Sequence, residues 1–184
     1  ILPNVFGCDS TIYLKLTVLP LDNSTINYAQ STYCENAISA IPNITVNSGN
    51  NTGVFYANSL VFIDSTTGSI DIEQSPLGNH EIIYIPNGHC PVNDTVNVSI
   101  NIVEDASFSY SSSSYCTDGQ DPVATITGTL GGVFSSTPSG MSINGSTGEI
   151  DLSLSNVLSG SYNNTYRVSY VTPGACSQSS SQLE

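Results

Sequence analysis

Apolar and polar residues alternate strictly over several short stretches of this chain. In residues 95–102 every second residue is apolar, so one face of an extended strand there would be apolar. Residues 12–18 alternate in the same way, and residues 81–85 are more continuously apolar, as in a central strand. No segment shows a 3.6-residue apolar period of helical length. The pattern therefore predicts an all-β protein.

Short runs of turn-forming residues separate the predicted strands. Glycine, asparagine and proline dominate these runs because they accept the backbone angles of tight turns. The runs are Ser48-Gly49-Asn50-Asn51, Thr67-Gly68, Pro86-Asn87-Gly88 and Asn144-Gly145. Several short strands within about 80 residues are typical of a small β-sandwich of the immunoglobulin-like kind.

Four landmarks occur twice along the chain, in the same order. The pairs are Tyr33-Cys34 with Tyr115-Cys116, Gly53–Phe55 with Gly132–Phe134, Phe62–Asp71 with Ser142–Asp151, and Ile85–Cys90 with Val171–Cys176. Self-similarity at a nearly constant spacing is how tandem modules are recognised in a sequence. The chain is therefore predicted to contain two copies of one immunoglobulin-like β-sandwich module.

The same landmarks divide the chain into three parts. Residues 1–21 resemble the end of a module, so they are interpreted as the C-terminal remnant of a preceding repeat. Residues 22–104 form a complete Ig-like repeat. Residues 105–184 form a second Ig-like repeat, which is expected to be truncated at its last strand because residues 177–184 lack the apolar alternation of residues 95–102.

The charge balance excludes two classes of partner. Lys15 and Arg167 are the only basic side chains against 15 acidic ones, which gives a formal net charge of −13. Binding to nucleic acid requires a cationic surface, and so does binding to an anionic membrane. No apolar run approaches the roughly 20 residues of a membrane-spanning helix, so no membrane insertion is expected.

The cysteines suggest disulfide bonds. Cys34 and Cys90 of the first module are equivalent in sequence to Cys116 and Cys176 of the second, so two intramodule bridges are predicted, Cys34–Cys90 and Cys116–Cys176. In the loop-entropy model each bridge would stabilise the fold by about 4 kcal/mol. Cys8 remains as the odd cysteine. A metal site is the alternative, but no CxxC spacing supports it. Disulfides favour an extracellular location.

No set of residues indicates catalysis. His80 and His89 are the only histidines, and Ala175 replaces His89 in the second module. The serine-rich chain has no GxSxG nucleophile motif. Both histidines are expected in surface turns, with no catalytic and no cofactor-binding residues, so the chain is not expected to be an enzyme.

Calcium is the one cofactor for which ligands of the right chemistry exist. Asp118 and Asp121 lie close together in sequence, and Glu104-Asp105 lies near the predicted module junction. Carboxylate oxygens are the ligands that Ca²⁺ prefers. The alternative is that these four residues are solvated carboxylates of turns, and in that case no cofactor is bound.

One motif explains itself structurally. Asp64 and Asn144 occupy the same place in the two modules, and each is followed by Thr-Gly after a short interval. Their side chains are expected to accept hydrogen bonds from the following backbone amides, while Gly68 and Gly148 supply a positive φ. The motif is therefore interpreted as a determinant of the fold.

This motif also carries a family resemblance. Phe62–Ile70 and Met141–Ile150 resemble the cadherin-like and immunoglobulin-like repeats of bacterial surface proteins. The whole module, with its Tyr-Cys opening and its Pro-Gly-Ala-Cys closing, looks like the repeats of very large Bacteroidetes cell-surface adhesins, including those of gliding motility. The calcium-binding Leu-Asp-Arg-Glu and Asp-x-Asn-Asp-Asn motifs of true cadherins are absent, so the resemblance does not extend to the metal.

The resemblance implies a repeat, or stalk, segment of a large secreted cell-surface adhesin, structural and adhesive, with gliding motility as one implied process. Its partners would be neighbouring repeats of the same chain, and surface glycans or proteins. Two alternatives remain: a glycan- or protein-binding module, and an accessory domain of a secreted hydrolase. Each of the three places the protein outside the cell, and the adhesin places it at the cell surface.

Overall fold

A computed structural model describes residues 2–3, 9–10, 13–49, 52–155 and 165–183, and within them every regular element is a β-strand. The all-β prediction is therefore confirmed. Two short strands pair near the N-terminus as an antiparallel hairpin, β1 (Leu2–Pro3) and β2 (Asp9–Ser10). None of the described residues belongs to a helix able to cross a membrane.

The first module is built from two sheets. Its strands are β3 (Asp22–Tyr28), β4 (Thr32–Cys34), β5 (Pro42–Ser48), β6 (Gly53–Ala57), β7 (Gly78–Pro86), β8 (Pro91–Val92) and β9 (Asp94–Asn101). One sheet has the order β5-β3-β8 and the other the order β4-β9-β7-β6. The two sheets form a β-sandwich, with a parallel pairing of β4 with β9 at one edge.

The second module repeats this plan with shorter strands. They are β10 (Phe108–Ser109), β11 (Thr125–Ile126), β12 (Val133–Thr137), β13 (Ser142–Ile143), β14 (Ile150–Asp151), β15 (Arg167–Val171) and β16 (Ser179–Leu183). The order β12-β15-β16 matches the order β6-β7-β9 of the first module. The predicted tandem arrangement of immunoglobulin-like sandwiches is confirmed.

Each module has its own apolar core. In the first module, Phe55 packs on Tyr84 with ring centroids 4.7 Å apart, and in the second, Phe134 packs on Tyr170 at 4.5 Å. The alternation noted in residues 95–102 produces this burial, since Val98 and Ile100 are each 1% exposed. The buried residues fall into two clusters that share no member. The modules are therefore two separate units of packing.

The second module has a last strand, which is shorter than β9, so the expectation that residues 177–184 form no strand is wrong. Residues 179–183 form β16, which pairs with β15 at five positions from Arg167–Leu183 to Val171–Ser179. A strand edge is joined through backbone N–H and C=O groups, so a serine-rich segment pairs as well as an apolar one. Apolar alternation is needed only where a strand face is buried.

The predicted strand in residues 12–18 is also absent from the described part of this segment. Residues 13–21 are not assigned to any strand, and Tyr13, Leu14, Leu16 and Val18 are exposed. Alternation produces a half-buried strand only where a second apolar face covers it, and no described residue covers this one.

Candidate functional site

The repeated turn has the same geometry in both modules. The Asp64 Oδ1 atom accepts hydrogen bonds from the backbone N–H groups of Thr66 and Thr67, both at 2.8 Å. The Asn144 Oδ1 atom accepts the equivalent bonds from Ser146 and Thr147, at 2.9 and 3.2 Å. The two turns are therefore structural equivalents, as the sequence predicted.

Positive backbone angles follow in both turns, with φ of 71° at Gly68 and 68° at Gly148. In the first turn, hydrogen-bond donation from the backbone N–H groups of Thr67 and Thr66 lowers the pKa of Asp64. In both turns the side-chain oxygen binds the backbone of its own turn, so the motif determines the fold.

A disulfide bond joins the two modules. Cys34, the last residue of β4, forms a disulfide bond with Cys176, which lies between β15 and β16 of the second module. Their Cα atoms are 5.5 Å apart, and 142 residues separate them in sequence. The bond therefore links the first module covalently to the second, at their junction.

The predicted pairings Cys34–Cys90 and Cys116–Cys176 are both wrong. Cys34 pairs in register with Asn101, the last residue of β9, whereas Cys90 precedes the start of that strand. An eight-residue strand is roughly 25 Å long, while a disulfide needs Cα atoms within about 7 Å of each other. The two cysteines of one module therefore lie at its opposite ends. Among the described cysteines, Cys90 and Cys116 are unbonded, and Cys8 lies outside the described residues.

Glu35 of the first module makes hydrogen bonds to the end of β9 and to the linker that follows it, residues 102–104. Its backbone N–H donates to the Asn101 carbonyl oxygen at 2.9 Å. Its Oε1 atom accepts a hydrogen bond from the Val103 N–H at 3.2 Å. The Sγ atom of Cys176 lies 3.8 Å from the same Asn101 oxygen. The disulfide and the linker therefore meet at one point.

The second module holds the linker through Glu104. The Glu104 N–H donates to the Cys176 carbonyl oxygen at 3.2 Å, and its Oε2 atom accepts a hydrogen bond from Gly174 N–H at 3.0 Å. A Cβ atom at Gly174 would lie 1.6 Å from the Glu104 Oε1 atom, so any larger residue there would displace the Glu104 carboxylate. The junction is thus fixed by hydrogen bonds on both sides of the linker, in addition to the covalent bond.

The four candidate calcium ligands are not brought together. Glu104 and Asp105 lie at the junction, where Glu104 binds Gly174, and Asp105 accepts bonds from the Ser107 hydroxyl and N–H that lower its pKa. Asp121 accepts a hydrogen bond from the Leu152 N–H at 2.9 Å, and Asp118 is exposed in a turn. No group of three or more acidic, histidine or cysteine residues in the described ranges has the geometry of a metal site. These residues do not fit a calcium site.

A shallow cleft of about 350 Å³ lies beside Asp121 and is lined by acidic side chains. Asp151, which lines it with Glu149, accepts bonds from Ser153 Oγ at 2.7 Å and Leu154 N–H at 3.0 Å. These bonds, that from Ser153 foremost, lower the Asp151 pKa. The carboxylates therefore stabilise local turns.

His80 is not in a surface turn, contrary to the sequence-based expectation. It lies in β7 and is 3% exposed. Its Nδ1 atom is 2.7 Å from Ser59 Oγ, and its Nε2 atom is 2.7 Å from the Pro76 carbonyl oxygen. A carbonyl accepts only, so Nε2 donates to it and Nδ1 accepts from Ser59. Both ring nitrogens hold the loop before β7 in place. His89 is exposed in the turn before β8, as expected.

The residues of the junction that the sequence analysis missed are Glu35, Asn101 and Gly174. The only sequence signal for them was indirect: Asp22 is the first residue of the first predicted module, and the acidic Glu104 is the last residue before the second. Which residues they would bind depends on how consecutive modules are placed, and a repeat pattern does not contain that information.

Comparison with known proteins gives a likeness of fold only. No family model matches the chain. A search of curated proteins also found no match. Among solved structures, mouse cadherin-23 EC22–24 has 15% identity and a TM-score of 0.38, over 88% of this chain and 65% of that one. Human CDH23 EC21–23 has 17% identity and a TM-score of 0.32, with coverages of 88% and 63%. The chain thus spans about two thirds of the length of these cadherin fragments, and at such scores the likeness says nothing of function.

Proposed function

We propose that this chain is a stalk segment of a large secreted cell-surface adhesin, a structural part that positions an adhesive region and transmits load to it. Gliding motility is the process that the resemblance of the repeats implies. The role of the stalk segment is mechanical and not catalytic. The observation that carries the proposal is the Cys34–Cys176 bond, which joins two separately packed modules across their junction.

The bond changes how a pulling force passes through the chain. Force applied at the two ends reaches Cys34 and crosses directly to Cys176 through the sulfur atoms. Strands β5 to β15 lie between these residues in sequence, so they are shielded from the load, which still acts on β3, β4 and β16. A binding module has no need of such a shield, whereas a segment under tension does.

The composition supports a location outside the cell. Disulfide bonds persist in oxidising compartments and are rare in the cytosol. A net charge of −13 keeps neighbouring stalks soluble and apart through self-repulsion. The surface is polar through serine, threonine and asparagine, since charged residues make up only 9% of the chain.

Single-molecule pulling from the two ends of the full chain tests the proposal. With the bond intact, only the residues outside the loop between Cys34 and Cys176 should extend. Addition of a reductant should release the 142-residue interval, about 500 Å of extended chain at ~3.5 Å per residue. The matched control is the Cys34→Ser, Cys176→Ser double variant, which should extend fully without reductant. Equal extension of the wild-type chain in both conditions would contradict a load-bearing role.

A further inference from the structure

We infer that Cys90 and Cys116 each form one half of a junction like that of Cys34 and Cys176. Each of the two forms a disulfide bond with a like module placed head to tail. The partner is defined by its chemistry: a thiol at the facing end of another copy of this repeat. The inference deepens the proposed stalk and rests on it. It turns one bridged pair into a continuous series of bridged modules.

Cys90 occupies the position in the first module that Cys176 occupies in the second. The Cys90 carbonyl oxygen accepts a hydrogen bond from Asp22 N–H at 2.9 Å, as the Cys176 oxygen does from Glu104. The Asp22 carboxylate also accepts a bond from the Cys90 N–H at 3.1 Å. The second half of a junction is therefore built at the start of the first module, although no described residue bonds to its sulfur.

Cys116 occupies the position of Cys34. The Cys34 carbonyl oxygen accepts a hydrogen bond from Ala37 N–H at 2.8 Å, and the Cys116 oxygen accepts one from Gly119 N–H at 2.9 Å. The tyrosine before each cysteine is also held alike. Its hydroxyl accepts a bond from the backbone N–H of Gln30 in the first module, and of Ser112 in the second.

The two unbonded cysteines lie at the outer ends of the pair of modules. Cys90 lies beside Asp22, where the first module begins, and the equivalence of Cys116 with Cys34 places Cys116 at the end of the second module opposite to Cys176. They therefore cannot reach each other within one chain. Their exposure agrees with an open junction: Cys176 is 3% exposed in the closed junction, whereas Cys90 is half-buried and Cys116 is exposed.

The register of β16 explains why Cys116 needs a following module. In the first module, Cys34 is aligned by the far end of β9, at Asn101. Tyr84 pairs with Asp94 in the first module, and the equivalent Tyr170 pairs with Ser180 in the second. Ser180 is therefore equivalent to Asp94, and Leu183 to Asn97. The described part of β16 therefore stops short of the position that holds the cysteine.

The bond forms by thiol–disulfide exchange with a small disulfide such as oxidised glutathione. One cysteine thiolate attacks the reagent, forms a mixed disulfide and releases one glutathione thiolate. The second cysteine thiolate then attacks the cysteine sulfur of the mixed disulfide and releases the other glutathione. The two cysteines lose two electrons and two protons in total, and the reagent becomes two thiols.

An extended chain provides the test. A second copy of residues 99–184 is joined after Glu184, which continues β16 in register and adds one module. After refolding in a glutathione redox buffer, free thiols are alkylated and the bridges are mapped by mass spectrometry. Cys116 of the original chain should be bonded to Cys176 of the added copy. Cys116 of the added copy should be alkylated.

Two variants make the result specific. Cys176→Ser in the added copy should leave the original Cys116 fully alkylated. Cys90→Ser should leave the new bridge unchanged. The Cys34–Cys176 bridge within the same protein reports correct folding.

Three outcomes would overturn the inference: an alkylated Cys116 beside an intact Cys34–Cys176 bridge, a bond from Cys116 to Cys8 or Cys90, or absence of the Cys34–Cys176 bridge itself. The pulling experiment on the unextended chain does not involve Cys116. A stalk role that fails and an extended bridging pattern that fails are therefore told apart.

Discussion

The Tyr28 hydroxyl donates a hydrogen bond to the Gly68 carbonyl oxygen at 2.6 Å, inside the first module. The second module makes the same contact between Tyr110 and Gly148. In the first module this bond joins the end of β3 to the turn that follows Asp64, and in the second it joins the residue after β10 to the turn that follows Asn144. The repeat in the sequence is therefore a repeat of individual contacts.

Replacing Tyr28 by phenylalanine should destabilise the first module by about 1 kcal/mol, because the Gly68 oxygen loses its buried donor. The free energy of unfolding from urea titration of the full chain measures this. Tyr110→Phe is the matched control, with a similar loss expected in the second module. A Tyr28→Phe protein as stable as the wild type would show that water replaces the hydroxyl.

The same tyrosine should make the protein sensitive to alkali. Burial foremost, and then the neighbouring Tyr33, raises the pKa of Tyr28 well above its ordinary value of 10.0. The folded state therefore keeps a proton that the unfolded state loses, so stability is constant below pH 10 and falls as the pH rises further. Unfolding followed by circular dichroism from pH 8 to 12 should show this fall, and Tyr28→Phe should reduce it. A slope unchanged in the variant would assign the effect to other tyrosines.

Gly148→Ala should destabilise the second module by about 1–3 kcal/mol. Its φ is 68°, and an added Cβ would lie 2.7 Å from that of Ala124 and 3.0 Å from the Phe134 ring. Gly145→Ala in the same turn is the control, because its Cβ would meet nothing closer than 3.6 Å. Thermal melts of the two variants should differ clearly. Equal melting temperatures would mean that the turn relaxes at no cost.

Asp64 should support its turn only when ionised. Donation from the Thr67 and Thr66 backbones lowers its pKa below 3.8, so its contribution is complete above that pH and is lost as the pH falls through the folded-state pKa. Asp64→Asn copies the second module, where Asn144 accepts the same bonds, and should remove this acid dependence while preserving the melting temperature at pH 7. Asp64→Ala should lower the melting temperature at pH 7, and this difference from the wild type should shrink as the pH falls through the folded-state pKa of Asp64. An unchanged acid dependence in Asp64→Asn would exclude this residue as its source.

Phe134→Ala should cost the second module about 3–5 kcal/mol, because this side chain is 3% exposed and packs on Phe108 and Tyr170. Hydrogen exchange measured by mass spectrometry should accelerate in residues 133–137 and 167–171. Exchange in residues 78–86 and 94–101 should stay slow, since the first core does not include Phe134. Phe55→Ala is the reciprocal control. Acceleration in both modules of the Phe134→Ala variant would mean that they unfold as one unit.

Local chemistry was sufficient for much of this structure. The alternation in residues 95–102 predicts a strand because each residue's face follows from its position in the chain. The turn at Asp64 is predicted because its bonds reach only two or three residues along the chain. Residues 13–21 form no strand, since their apolar side chains have no apolar partner among the described residues.

The sequence by itself determined the number of modules, their β character and the equivalence of Cys34 with Cys116 and of Cys90 with Cys176. Only the tertiary structure decided which cysteines pair. A repeat shows that two cysteines belong to one module, but not that a strand the length of β9 holds them at opposite ends. Disulfide formation depends on distance in space, and the cysteine nearest to Cys34 belongs to the next module, 142 residues away along the chain.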